Sequence, residues 1–468
     1  MIRAGFASRD ITAPVGAEIP GSFVKRFNRG VLHPLEVSAC VIDNGGGAVA
    51  LVGVDALFVP GDLVRLALDG IESRTDLKRE QVLIGASHTH CGGPVFDGLA
   101  SRADPGYVAS VAEAIASAVV EAQGATEESE IGIGLGQQVG ISFNRRFLMT
   151  DGTEITHPGK PGTEHHDEIV AVAGPIDPTV DVLAVRNMRG EVTGIVVCFA
   201  CHSTVVGGDL QTPDYAHYLR TYLRSHFGDG LPVVFLLGAC GDVTQVDNMS
   251  DGSESGAGHA ELMGQWLAGE ARRAVDLVDW LDDAAIESSV VMETLSIREL
   301  PDADAERPPF GLGSAPEYEP VYAQERAAVA EMRGAKPAVE TPIQALRIGP
   351  LGIVTNGSEF FCEYGLRIKR ASPFSFTWVV SLANDYIGYV PTAQAFISGG
   401  YEPRTARSSF LAIDAGQKIV TRSLGVLGEL WDGERRAGDP ILSLRGFGKE
   451  VWADEEADDY VDRLRQGE

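Results

Sequence analysis

The chain has 468 residues, 44% of them hydrophobic, with 66 Asp and Glu against 38 Lys and Arg and a formal net charge of −28. Such a composition supplies a large soluble core, and so acidic a balance argues against binding to nucleic-acid phosphates or to anionic lipid. The opening MIRAGFASRDITAPVG lacks a leader-like apolar stretch, and no later run approaches the ~20 apolar residues of a membrane span. The sequence therefore reads as cytoplasmic, with no integral membrane segment.

In chain order, AVALVGVDALFV reads as a strand leading into the helix GDLVRLALDGIESR. QVLIGASHTH reads as a strand over Val82–Ala86, followed by the helical GYVASVAEAIASAVVEAQG. Residues 143–180 are rich in Gly, Pro and polar residues and read as a long functional loop. The strand GIVVCFACH, the helix YAHYLRTYLRSHF, the strand LPVVFLLGACGD and the helix AELMGQWLAGEARRAVDLV follow. PDADAERPPFGLGSAPEYEP, at 301–320, reads as a second loop or lid before the helix VYAQERAAVAEMRG, and ADEEADDYVDRLRQGE closes the chain as a charged surface helix. Alternation of this kind predicts an α/β fold with a mixed, largely parallel sheet flanked by helices.

Polar residues collect where the apolar strands stop: His88 and His90, His202, Asp242 and Glu359. Open α/β sheets build their sites beyond the carboxyl ends of their strands, so these residues are expected to converge. A continued strand would set His88 and His90 on one face. Histidines and a carboxylate far apart in sequence suit a catalytic metal better than a zinc finger; a pair of hydrogen-bonded histidines at a strand end is the alternative, and spacing does not separate the two. His165 and His166, in GTEHHDE, read as solvated surface, and His217 as a helix residue that either faces the site or packs.

Thiol chemistry is weakly supported. Six cysteines in so long a chain do not make a disulfide framework. Cys198 and Cys201 form a C-x-x-C inside an apolar run, whereas redox thiols are activated at helix N-termini, so core packing is expected. Cys91 and Cys240 sit in glycine-rich turns that select small residues. No G-x-S-x-G elbow is present.

GFASRDITAPVG, SHTHCGGP, FNRRFLMTDGT, GPIDPTVDVLAVR, FACHSTVVGGD, LGACGDVTQ, NGSEFF and NDYIGYVPTAQAFISGGYEP occur in that order between about residues 4 and 425. Together they resemble the neutral/alkaline non-lysosomal ceramidase family, in particular its bacterial ceramidase-like members. The resemblance implies a zinc amidase in which His88, His202, Glu359 and Tyr389 hold the metal, with Tyr386 the lesser match for the tyrosine. It makes His90 a contact for the substrate carbonyl or the attacking water, Arg145 an anion or carbonyl contact, and Asp242, or Asp214, a carboxylate that orients a ligand. The chain departs from the family at Cys91, after H-T-H, and at Thr244, after the Gly-Asp turn; both changes fall where substrate recognition is expected.

The expectation is one catalytic domain over 1–468, with long loops near 143–180 and 301–320, a charged tail over 432–468 and no C-terminal immunoglobulin-like domain. Its partner would be a small-molecule amide or ester, with no nucleic acid; a lactam substrate and a non-catalytic binding protein are the rival readings. The sequence is compatible with a homo-oligomer.

Overall fold

The computed structural model describes residues 1–436. The closing ADEEADDYVDRLRQGE segment lies outside them.

Nine strands form the large sheet: eight run in the order Val233–Leu237, Val192–Phe199, Thr179–Asn187, Glu127–Gln137, Ile2–Asp10, Glu36–Asp43, Ala48–Val54 and Val82–Ala86, and the short Trp280–Leu281 pairs antiparallel with Glu127–Gln137. The mixed α/β expectation holds, but "largely parallel" does not. Only the two outermost pairings are parallel, 192–199 with 233–237 and 48–54 with 82–86; the five inner ones are antiparallel. A helix separates the partners in each parallel pair, whereas hairpins join 36–43 to 48–54 and 179–187 to 192–199. A crossover returns the chain in the same direction and a tight turn reverses it.

A second sheet carries Ile286–Ser296, Ala338–Ile348, Leu351–Thr355 and Phe376–Val380. Alternating side chains of the first sheet divide between two environments. Val52, Ile84, Val197 and Phe235 pack with helices Pro105–Gly124, Tyr215–Phe227 and Ala257–Val275. Their neighbours Leu51, Leu83, Val196 and Leu236 pack with Leu346, Ile353 and Trp378 of the second sheet. The far face of that sheet, through Ala345, Val354 and Val379, meets helices Cys362–Ala371 and Ala415–Arg436. Burial on both faces explains why VLIGA, IVVCF and VVFLL are apolar throughout instead of alternating. The large sheet also curls on itself: a Cβ at Gly53 would stand 2.4 Å from the Phe235 carbonyl oxygen, so only glycine admits the approach.

The 143–180 segment is not structureless. It holds a small sheet of Glu154–Thr156, Arg146–Met149 and Ile169–Val172, and its Phe143–Asn144 pairs with Val243–Thr244. Short ladders joined by Gly- and Pro-rich turns leave little periodicity for sequence reading to detect.

Candidate metal centre

The strand Val82–Ala86 ends as expected, but the chain then turns, and His88 takes a left-handed backbone with φ 63°. That conformation costs a non-glycine residue about 1–2 kcal/mol, and strand periodicity no longer governs the histidines. The turn nevertheless brings the His88 and His90 rings to a centroid separation of 4.8 Å. His202 follows the end of Val192–Phe199, 4.6 Å from the His88 ring. Glu359 begins a two-residue strand paired in register with Tyr389–Val390.

Each histidine is fixed from behind. His88 Nδ1 lies 3.0 Å from the Leu57 carbonyl oxygen and His202 Nδ1 lies 2.7 Å from that of Cys240. A carbonyl only accepts, so Nδ1 carries the proton and Nε2 presents a lone pair. His88 Nε2 and His202 Nε2 each stand 3.4 Å from Glu359 Oε2. Burial, with Arg145 and His88 adding to it, pushes the His202 pKa down to about 3, which keeps its ring neutral.

The three facing atoms are therefore all acceptors. His88 Nε2 and Glu359 Oε2 are buried without a hydrogen-bond partner, an arrangement that is costly unless a cation lies between them. The spacing suits one: ligands about 2.0–2.1 Å from a tetrahedral zinc are about 3.3–3.4 Å apart. Among the described residues this trio is the group of His, Cys, Asp or Glu placed to hold an ion.

Both candidate tyrosines reach the cluster. Tyr389 places its hydroxyl 3.5 Å from His202 Nε2 and 3.1 Å from Arg145 Nη2, which donates to it. Tyr386 donates to Glu359 Oε1 at 3.1 Å and stacks on Phe58 at 3.6 Å. His90 Nδ1 donates to the Gly21 carbonyl at 3.1 Å, leaving a buried, unpartnered Nε2. Arg26 donates at 2.6 Å to the His90 carbonyl and at 3.0 Å to those of Pro20 and Gly208, binding the 20–26 loop to the H-T-H turn.

Arg145 is not a free anion contact. Its Nε donates to Glu402 Oε1 at 2.8 Å and its Nη2 to the Gly241 carbonyl at 2.7 Å, so it stands behind Tyr389. Asp242 is likewise removed from the cluster: it accepts from Cys362 N at 2.8 Å and Asn144 Nδ2 at 2.7 Å. It caps the helix that follows Glu359, and burial raises its pKa to about 6. A Cβ at Gly241 would stand 2.3 Å from the Glu359 carbonyl oxygen, which ties this turn closely to the ligand strand.

Neither expected recognition residue bonds to the cluster. The Cys91 thiol is buried and donates to the Val206 carbonyl at 3.2 Å; Thr244 lies in the ladder with Phe143, its Oγ1 accepting from Val246 N. The turn positions that carry them use small side chains to close loops. Asp214 caps helix Tyr215–Phe227, and His217 packs on His33 at 3.7 Å. His165 and His166 are half-buried instead of solvated, His165 stacking on Phe310 at 3.7 Å. All six cysteines are buried free thiols, and Cys198 and Cys201 pack in the core as expected.

Sequence reading missed Tyr401 and Glu402. The Tyr401 ring lies 5.9 Å from that of Tyr389, and Glu402 accepts from both Arg145 and Arg146. The signal was the adjacent pair in FNRR: two arginines entering a core require a buried carboxylate.

No protein-family model matches the chain, and no curated protein matches it. Among solved structures, a ceramidase complexed with C2 superposes at TM-score 0.71 and 18% identity, over 92% of this chain and 75% of that one. Neutral ceramidase from Pseudomonas aeruginosa gives TM-score 0.70 at 18% identity, over 92% and 74% of the two chains. The fold is the neutral ceramidase fold.

Proposed function

We propose that this chain, built on the neutral ceramidase fold, is a zinc-dependent amidohydrolase that cleaves a linear amide in an N-acyl substrate, ceramide-like or smaller. The observation that carries the reading is the buried, acceptor-only set of His88 Nε2, His202 Nε2 and Glu359 Oε2. Those residues would hold the metal, and the Tyr389 hydroxyl stands beside them, 3.5 Å from His202 Nε2. Zinc, when bound in such a site, acidifies water to a pKa of about 7 and polarises a carbonyl.

The chain's own residues supply the rest. His90, its Nδ1 committed to Gly21, offers Nε2 to take a proton and return it to the leaving amine. Burial drives its pKa well down, with His88 and His202 adding to the effect, so the ring is neutral at physiological pH. Burial also keeps Tyr389 a protonated phenol, able to donate toward negative charge developing on the carbonyl oxygen. Arg145 fixes the Tyr389 hydroxyl, and Glu402 fixes Arg145. Among the described residues no helix is long and apolar enough to cross a membrane, and the acidic surface disfavours extraction of lipid from an anionic bilayer; short, soluble N-acyl amides are the first substrates to try.

The test is metal analysis followed by a substrate panel. Purified protein should carry about one zinc per chain, and N-acyl amide hydrolysis should vanish with a chelator and return with zinc. His88→Ala and His202→Ala should lose metal and turnover while remaining folded. Metal-free protein with both variants behaving as wild type would overturn the metalloenzyme reading. Turnover confined to esters or lactams would replace the amidase assignment, and metal binding without turnover would leave a binding protein.

A further inference from the structure

Outside the candidate metal centre, a polar constellation surrounds Lys160, in the turn HPGKPG of the 143–180 segment. Its Nζ lies 3.1 Å from the Asp247 carbonyl oxygen, 3.3 Å from that of Ser250 and 2.6 Å from that of Gly252. The Glu254 carboxylate completes the set. The side chain is only 28% exposed and that of Glu254 only 11%. Three carbonyl dipoles and a carboxylate aimed at one point repel each other unless a cation sits there. An all-oxygen set of this kind is also one that hard divalent cations use.

The cage ends a series of contacts joining the segment to the 241–254 stretch. Asn144 bonds Asp242, and Arg145 N donates to the Asp242 carbonyl at 2.9 Å. Phe143–Asn144 pairs with Val243–Thr244. His157, at φ 50°, bonds Asn248 at 2.8 Å, and Asn248 Nδ2 donates to the Gly159 carbonyl at 2.9 Å. Arg145 links the strands Phe143–Asn144 and Arg146–Met149, and Cys240, whose carbonyl orients His202, directly precedes the 241–254 stretch.

We infer that Lys160 is a built-in cation: its ammonium fills an oxygen cage in the 247–254 loop and holds the strands that flank Arg145 against the turn that orients His202. Lys160 is thus a positioning residue. Its value to catalysis rests on the hydrolase reading, whereas its cation role does not.

The experiment is amide hydrogen exchange on the full-length chain and its Lys160→Ala variant. Exchange across 247–254 should rise about tenfold in the variant, and exchange across 144–157 should rise with it. Millimolar calcium or n-propylammonium should restore protection in the variant and leave wild type unchanged, and Glu254→Gln added to Lys160→Ala should abolish that rescue. Unchanged exchange in Lys160→Ala, or failure of both cations to restore it, would overturn the cation role. A rise confined to 247–254 would overturn the positioning role. These readouts need no turnover, so they decide the inference even if the amidase assay fails.

Discussion

Tyr386 and Tyr389 both touch the acceptor cluster, but their hydroxyls do different things. Tyr386 donates to the outer oxygen of Glu359, whereas Tyr389 stands between Arg145 and His202 Nε2. Tyr389→Phe should therefore lower kcat by about 10²–10³, the usual cost of removing a donor to a developing oxyanion. Tyr386→Phe should loosen a ligand instead, weakening metal affinity by about 10–100-fold while kcat at saturating zinc changes little. Kinetics run alongside a zinc titration distinguish the two. The cysteines call for a simpler measurement: all six are buried, and burial raises the Cys91 thiol pKa to about 11. Ellman's reagent should find no fast thiol in the native chain and all six after denaturation; rapid reaction at Cys198 or Cys201 would revive a redox reading.

The elements that matter most are the short ones. The strands Phe143–Asn144 and Arg146–Met149 bring two arginines into the interior, and the 399–402 turn meets them with Glu402. Burial alone would raise the Glu402 pKa, but Arg145 and Arg146 outweigh it and hold the carboxyl at about 2, below its ordinary value of 4.5. A depressed folded pKa stabilises the protein above the unfolded value, and this contribution is lost as pH falls from about 4.5 toward 2. Wild type should thus lose urea resistance across that window, and Glu402→Gln should show a flatter profile there. At neutral pH the variant should be less stable by about 3–5 kcal/mol, because buried guanidinium charge loses its partner. Equal slopes for the two proteins between those pH values would refute the assignment.

At the scale of the whole molecule, two sheets share an interior seam and are cased by helices on their outer faces. Trp378 is fully buried in that seam, among Leu346, Ile353, Leu236 and Val380. Trp378→Ala should cost about 3–5 kcal/mol, read as a lower urea midpoint. A cost under about 1 kcal/mol, the range of surface changes, would mean that the sheets do not rely on this contact.

The apolar runs and their spacing located five helices and the strands Ala48–Val54, Val82–Ala86, Val192–Phe199 and Val233–Leu237, since two-faced burial leaves uninterrupted Val, Ile and Leu and a surface helix leaves a 3.6-residue period; they missed helices Cys362–Ala371 and Ala415–Arg436 and strands such as Glu127–Gln137 and Ala338–Ile348. They also placed His88, His202 and Glu359 at strand ends, and the ordered motifs pointed to the ceramidase-like fold. Strand direction was legible only where a helix intervened, because hairpin turns carry a weaker signal than crossovers. Which atoms face one another was decided by the tertiary structure alone. His88 leaves its strand with a left-handed backbone, Asp242 caps a helix, the Cys91 thiol bonds the distant Val206 carbonyl, and Glu402 arrives from more than two hundred residues away to neutralise Arg145. Such contacts depend on loop conformation and on charge compensation between distant segments, and neither leaves a local periodicity in the chain.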